Sequence, residues 1–293
     1  MPAKSGWLTL LLLLACSAPL LVLPACKRAE DPAPGADENG RPTAVPLVVV
    51  YRNDFNGPVG ETFPEWSSSP ITYHKTVTGE RGSLPAGVVG TVETPNRHAR
   101  FLGEFGGPPI GRPGAPDWNH TRVDQTVTLS LTDLGLHTRV AVTFDVYVLK
   151  SWDGNSRQYG PDRFMVRVGG GPVLLDTTFS NNPKVREDGS YQSYPGSSGD
   201  GGSNQPQTGA VSTGTVGYSN FFTDSVYHLS FEFPHTASTL TLDFGTSLFE
   251  GKGTSDESWG LDNVIVSADV QAGRKPGGRS GAEAAASADR RGK

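Results

Sequence analysis

Past residue 26 the chain has no cysteine; its two cysteines, Cys16 and Cys26, both sit in an N-terminal apolar segment. Disulfides and thiolate metal sites are thereby excluded from the rest of the molecule. Charge is sparse as well, at 19% of residues with a formal net charge of -5, which excludes the strongly basic footprint of a nucleic-acid binder. Between residues 47 and 268 no stretch has helical period over a useful length and no βαβ spacing recurs, so helical bundles and doubly wound α/β folds are excluded. Catalytic signatures are missing too: there is no Gly-x-Ser-x-Gly elbow, no His-Glu-x-x-His, no P-loop and no Gly-x-Gly-x-x-Gly. The six histidines (74, 98, 120, 137, 228 and 235) show no metal-ligand spacing. What the chain has in excess is Gly, 37, and Pro, 23, among 293 residues, a bias toward turns.

Lys4 precedes an apolar run over residues 7–22, which gives way at Cys26 to Lys27-Arg28-Ala29-Glu30-Asp31. This is the tripartite shape of a secretory signal. Ser17 and Pro19 interrupt the run, which is shorter than the roughly 18 to 20 apolar residues of a membrane-crossing helix. Leu23-Pro24-Ala25-Cys26 resembles the lipobox of bacterial lipoproteins, which implies processing after residue 25 and lipidation of Cys26. Leu13-Leu14-Ala15-Cys16 fits the same pattern, but a cut there strands Leu20-Leu21-Val22-Leu23 on the mature chain. The expected organisation is therefore a signal at 1–25, a Pro/Ala/Gly/acid linker at 26–46, one domain at 47–268 and a basic disordered tail at 269–293. The expected location is extracytoplasmic, with the membrane reached through the N-terminal lipid or the protein secreted.

The domain carries 15 Lys or Arg against 23 Asp or Glu, a net -8. Its dominant pattern has period two: Val140, Val142, Phe144, Val146 and Val148 alternate with Ala141, Thr143, Asp145 and Tyr147. The same alternation marks strands at 127–131, 164–168, 229–233 and 240–244. Further strands are expected at 47–51 and 264–266, and less regular ones at 71–77, 99–104 and 172–178. An all-β fold follows: an antiparallel two-sheet β-sandwich of jelly-roll type. Residues 181–217, rich in Gly, Ser, Asn and Pro, exceed ordinary loop length, so they are read as mobile, as ligand-facing, or as hiding a strand near Val211.

Two stretches concentrate hard oxygen donors at turns. One runs Ser151-Trp152-Asp153-Gly154-Asn155 and is followed by Gly160-Pro161-Asp162-Arg163; the other is Ser255-Asp256-Glu257-Ser258-Trp259-Gly260-Leu261-Asp262-Asn263. Calcium takes six to eight oxygens from carboxylates, amides and backbone in such turns. Asp153, Asp162, Asp256 and Glu257 are thus candidate ligands for a structural calcium, a crosslink in place of absent disulfides. Asp beside Gly also caps its own turn. Asp256 and Glu257, as neighbours on a strand, face opposite ways and do not form a catalytic pair by themselves.

Asn53-Asp54-Phe55-Asn56-Gly57 with Glu65-Trp66-Ser67 at one end, and Trp259-Gly260-Leu261-Asp262-Asn263-Val264 at the other, resemble the two ends of galactose-binding-like jelly rolls. These include carbohydrate-binding modules and, more distantly, MAM-type adhesive domains. The resemblance implies that the two ends lie side by side and share a structural calcium, which adds Asp54 and Asp262 to the candidate ligands. Asn56 stands where the family has an acid. A glycan or another cell-surface partner is the expected ligand, since sugar rings pair an aromatic platform with polar side chains. Trp118, Asn119, Tyr191 and Tyr194 are the candidates for that contact, without catalysis and without nucleic acid. A jelly-roll glycoside hydrolase or lyase, built from distant carboxylates such as Asp145 and Glu232, and a purely structural envelope or adhesive protein are the alternatives.

Overall fold

The computed structural model describes residues 45–271 apart from 197, 198, 200, 219–222 and 250. The signal, Cys26, most of the linker and the tail beyond 271 lie outside the described residues. The described chain is all-β, with one 3-10 turn at Gly253–Ser255 and no α-helix among the described residues.

In chain order the strands are β1 (Val48–Asn53), β2 (Trp66–Ser68), β3 (Ile71–Lys75), β4 (Arg81–Leu84), β5 (Thr91–Glu93), β6 (Arg100–Phe105), β7 (Thr121–Leu131), β8 (Arg139–Lys150), β9 (Arg163–Val168), β10 (Val173–Thr178), β11 (Ser212–Thr213), β12 (Ser225–Pro234), β13 (Leu240–Leu248) and β14 (Glu257–Ala268). One sheet runs β11-β12-β8-β14-β6-β5, with β1 also on β14; the other runs β10-β9-β13-β7-β3-β4, with β2 also on β7. The pairings are antiparallel, and from β7 onward the long strands cross repeatedly from one sheet to the other as in a jelly roll.

The period-two strands supply the core as their alternation requires. Val140, Val142, Phe144, Val146 and Val148 of β8 meet Leu240, Leu242 and Phe244 of β13 and Val127 and Leu129 of β7 in one cluster. β14 departs from strict alternation. Trp259 and Leu261 face the core, then a bulge between Asp262 and Ile265, with Asn263 at φ +50°, shifts the phase so that Val264, Val266 and Ala268 face inward. Asp262, just before the bulge, lies on the outer face, where the Tyr147 hydroxyl donates to it at 2.9 Å.

The 181–217 stretch is neither a free loop nor wholly without strand. Val211 donates to the Val226 carbonyl at 2.8 Å and β11 pairs with β12, the strand expected near Val211. The mobile reading fails for the described residues before it, because buried amides clamp them. Gln192 Nε2 donates to the carbonyls of Thr208 at 2.9 Å and Tyr194 at 3.0 Å, while its Oε1 accepts from Gln207 N at 2.8 Å. Asn181 Nδ2 donates to the carbonyls of Val148 and Lys150. A low-dielectric site strengthens each such bond and makes each loss costly, so Asn and Gln do the work of crosslinks here.

The folded part continues past 268. Asp269 accepts from Thr138 N and Arg139 N, both at 2.8 Å, and from the Thr138 hydroxyl at 2.7 Å. These donors hold its carboxyl down at about 2, the Thr138 amide first. A depressed carboxyl contributes stability that is present above pH ~4 and is lost as the pH falls toward 2. Asp269→Asn is therefore expected to lower the unfolding free energy measured in urea at pH 7, by about 1 to 3 kcal/mol, with the deficit shrinking as the pH falls to 2 and below. An equal deficit at both pH values would show that the charge is not what matters.

Candidate functional site

At the end of β8 the chain turns through Ser151, Trp152 and Asp153. Trp152 is fully buried, and its indole N–H donates to the Ser258 carbonyl at 2.8 Å, which pins this turn against the start of β14. Gly154 follows at φ +62°, and a Cβ there would lie 2.1 Å from the Tyr191 carbonyl, so no other residue fits. The turn thus delivers Asp153 to Asp162, which leads into β9, and to Glu257, the first residue of β14. Ligand oxygens of the three lie within 4.8 Å of one another, and the residues are 2%, 0% and 1% exposed. Among the described residues it is the one such convergence of His, Cys, Asp or Glu.

Asp162 is anchored by the backbone: Oδ2 accepts from Asp153 N at 2.5 Å and Oδ1 from Phe249 N at 3.1 Å. Asp153 Oδ1 accepts from Asn182 Nδ2 at 2.7 Å and lies 3.5 Å from the Arg186 guanidinium. Burial raises the Asp153 carboxyl to about 6 against the pull of Asn182 and Arg186, with Asp188 and Asp256 adding repulsion. Asn182 is itself 1% exposed, and its Oδ1 has no hydrogen-bond partner among the described residues. The donor set is hard oxygen, three carboxylates and an adjacent amide, which suits calcium and does not suit a soft metal. Its burial closes it to a polymeric substrate.

Asp256 is not part of this group. It closes the 3-10 turn that precedes β14, accepts from the Ser151 hydroxyl at 2.5 Å and pairs with Lys252 at 3.0 Å. Asp54 and Asp262 come near enough for Asp54 to raise the Asp262 carboxyl, which burial lifts to about 6. Asp54 is nonetheless exposed and accepts from Asn56 N at 3.2 Å, while Asp262 is bonded to Tyr147 and to the Asn263 amide. Asn56 Oδ1 accepts from Arg100 N at 3.2 Å. The two ends of the domain are therefore adjacent, but their carboxylates do not join a third in a convergent group.

The four residues expected at a ligand contact lie apart. Trp118 and Asn119 sit, half-buried, in the turn before β7. The Tyr191 carbonyl accepts from Asn155 N at 2.7 Å. The Tyr194 ring packs on Phe179 and Tyr227 and lines a 360 Å³ cleft with Pro195, His228 and Phe231. A larger groove, of 620 Å³, opens on another flank of the sandwich, between β2, β6 and the segments 59–64 and 87–91. Phe63, Val88 and Val89 supply its apolar surface; Thr62, Ser67, Ser68 and Thr91 supply hydroxyls; Arg100 and Glu61 supply charge. Trp66 lies beneath it, only 5% exposed, its indole N–H donating to the Tyr51 hydroxyl at 2.8 Å. Sequence reasoning missed this groove because its walls come from four separate segments. The only local signal was the run Trp66-Ser67-Ser68-Ser69, an aromatic followed by hydroxyls.

No protein-family model and no curated protein sequence matches the chain. Among solved structures it is similar to a carbohydrate-binding module described for its specific mannan recognition, at 15% identity and a TM-score of 0.35, over 76% of this chain and 98% of that one. A likeness this shallow carries no argument about ligand.

Proposed function

We propose that the chain is an exported, non-catalytic β-sandwich that binds glycan in the 620 Å³ groove, on a scaffold fastened by calcium at Asp153, Asp162 and Glu257, and joined to the membrane by lipid on Cys26. The observation that carries the glycan reading is the groove's mixed lining: four hydroxyl side chains together with apolar surface, including Val88 at 96% exposure. A sugar ring offers C–H faces and hydroxyl edges to such a wall.

The hydrolase alternative finds no support in the carboxylates at hand. Asp145 stands opposite His228 in register, whereas Glu232 is four residues further along β12 and pairs with Arg139. Four residues of strand is about 13 Å, beyond the roughly 5 to 9.5 Å that glycoside hydrolysis needs.

Electrophoresis through gels containing single polysaccharides tests the reading. At least one polysaccharide should retard the protein, Ser67→Arg should relieve the retardation, and no reducing sugar should be released. Release of sugar would make the protein a hydrolase. Retardation by none would leave the structural or adhesive role.

A further inference from the structure

We propose that the glycan taken by the groove is anionic, a chain bearing uronic carboxylates or sulfate esters, and that Arg100 is the residue that reads the anion. This rests on the reading of the groove as the glycan site. Arg100 opens β6 and forms part of the groove wall. Its guanidinium is positioned by neutral groups: Nη2 donates to the Thr91 hydroxyl at 2.8 Å and, more weakly, to the Thr91 carbonyl at 3.5 Å. Its Nε is buried and has no acceptor among the described residues. Lys75, Arg139, Lys150, Arg163, Arg186 and Lys252 each pair with a carboxylate. Arg100 pairs with none among the described residues.

The two acids placed to neutralise it do not. Glu61 lies in the same lining, but its carboxylate rests on Gly57, close enough that a Cβ there would be 1.8 Å from Oε2. Glu93 faces Arg100 across the β5–β6 ladder, exposed and without an ion pair to it. Burial closes Nε to a ligand, whereas Nη1 makes no hydrogen bond among the described residues, so the uncompensated charge is presented there; a carboxylate or sulfate oxygen satisfies it, and a neutral sugar hydroxyl satisfies it less well. Because the folded part is acidic overall, long-range steering works against a polyanion. The discrimination must come from this contact.

The test is calorimetric titration of the full chain with three size-matched probes: galacturonate, sulfated galactose and neutral galactose oligosaccharides. The parent is expected to bind one of the two anionic probes about tenfold more tightly than the neutral one, and which of the two identifies the anion. Arg100→Gln should bring that probe down to the neutral level. Arg100→Lys, which keeps the charge and loses the fork, should fall between and serves as the folded variant should Arg100→Gln be unstable. Equal affinity for charged and neutral probes, or a preference that survives Arg100→Gln, overturns the proposal while leaving the groove a glycan site, provided Ser67→Arg abolishes the binding. Binding of no probe and retardation by no polysaccharide overturn both readings together.

Discussion

Calcium added to chelated protein is expected to raise its melting temperature by roughly 5 to 10 °C. An ion at a hundred times its Kd adds about 2.7 kcal/mol, and a domain of this size shifts by about 2 to 4 °C per kcal/mol. The physical source is the trio at the end of the sandwich: Asp153, Asp162 and Glu257, all nearly inaccessible, place their oxygens within 4.8 Å of one another. Carboxylates away from water resist ionising, as the Asp153 carboxyl, raised first by burial, shows, and brought together they repel. A divalent cation relieves both penalties at once. Asn182, held to Asp153 through Nδ2, carries an unpartnered Oδ1 that would serve as a fourth ligand oxygen.

The effect should depend on pH in a defined direction. A carboxyl raised to about 6 in the folded state holds its proton more tightly folded than unfolded. The chelated protein therefore loses stability as the pH rises from about 4 to 6. Calcium competes with that proton, so its stabilisation should be largest above pH 6 and vanish toward pH 4. Glu257→Gln is the informative variant, since the carboxylate of Asp162 also holds two backbone amides. It should abolish the calcium shift while the chelated melting temperature stays level or rises. Scans that superimpose with and without chelator, together with a native mass free of metal, would remove the ion from this site.

The legible part of the structure is the part governed by short-range pattern. Over most of their length β8, β12 and β13 bury one face each, so alternating residues in the sequence mark them. β2, β4 and β5 are three or four residues long, too short for alternation to register, and their pairing is imposed by the sheets around them. The buried trio was legible for a similar local reason: Asp at a glycine turn and acid at a strand start are places where a carboxylate can aim along the sheet edge. Asp256, expected among the ligands with Glu257, is absent from the trio because it ends the 3-10 turn before β14 and is held by Ser151 and Lys252. The groove was illegible, because Ser67, Val88, Thr91 and Arg100 meet only after two sheets close. The 181–217 segment misled for a different reason. Its composition is that of a mobile loop, but composition does not show that Asn181 and Gln192 will be buried and fully bonded.

Replacing Asp224 by Ala is expected to cost about 3 kcal/mol or more, since the change strips the acceptor from four backbone amides, those of Val216 and Tyr218 being buried. Thr223-Asp224-Ser225 gives no sequence signal, yet the Asp224 carboxylate is inaccessible and accepts four consecutive backbone amides. Thr215 and Val216 donate to Oδ1 at 2.8 and 3.2 Å, Gly217 and Tyr218 to Oδ2, both at 3.1 Å. Those amides belong to the segment that lays Val216 and Tyr218 over Phe101, Tyr147 and Leu149, closing a second apolar cluster on the outer face of the β8 sheet. Without the acid, four N–H groups must find water, and the segment has to lift off its apolar bed to let water in. Asp224→Asn, which retains one carbonyl acceptor, should lose about half as much. Hydrogen exchange at 215–218 separates this from a general core defect: the amides should open in both variants, before the β8 and β13 amides do. If 215–218 stay protected in Asp224→Ala and the urea midpoint does not move, packing of Val216 and Tyr218 alone holds the segment and the carboxylate is incidental. Size alone does not decide between the two, because burying Val216 and Tyr218, 7% and 9% exposed, brings about 3 to 6 kcal/mol, as much as the lost amide acceptors cost; the early opening of 215–218 is what assigns the segment to the acid.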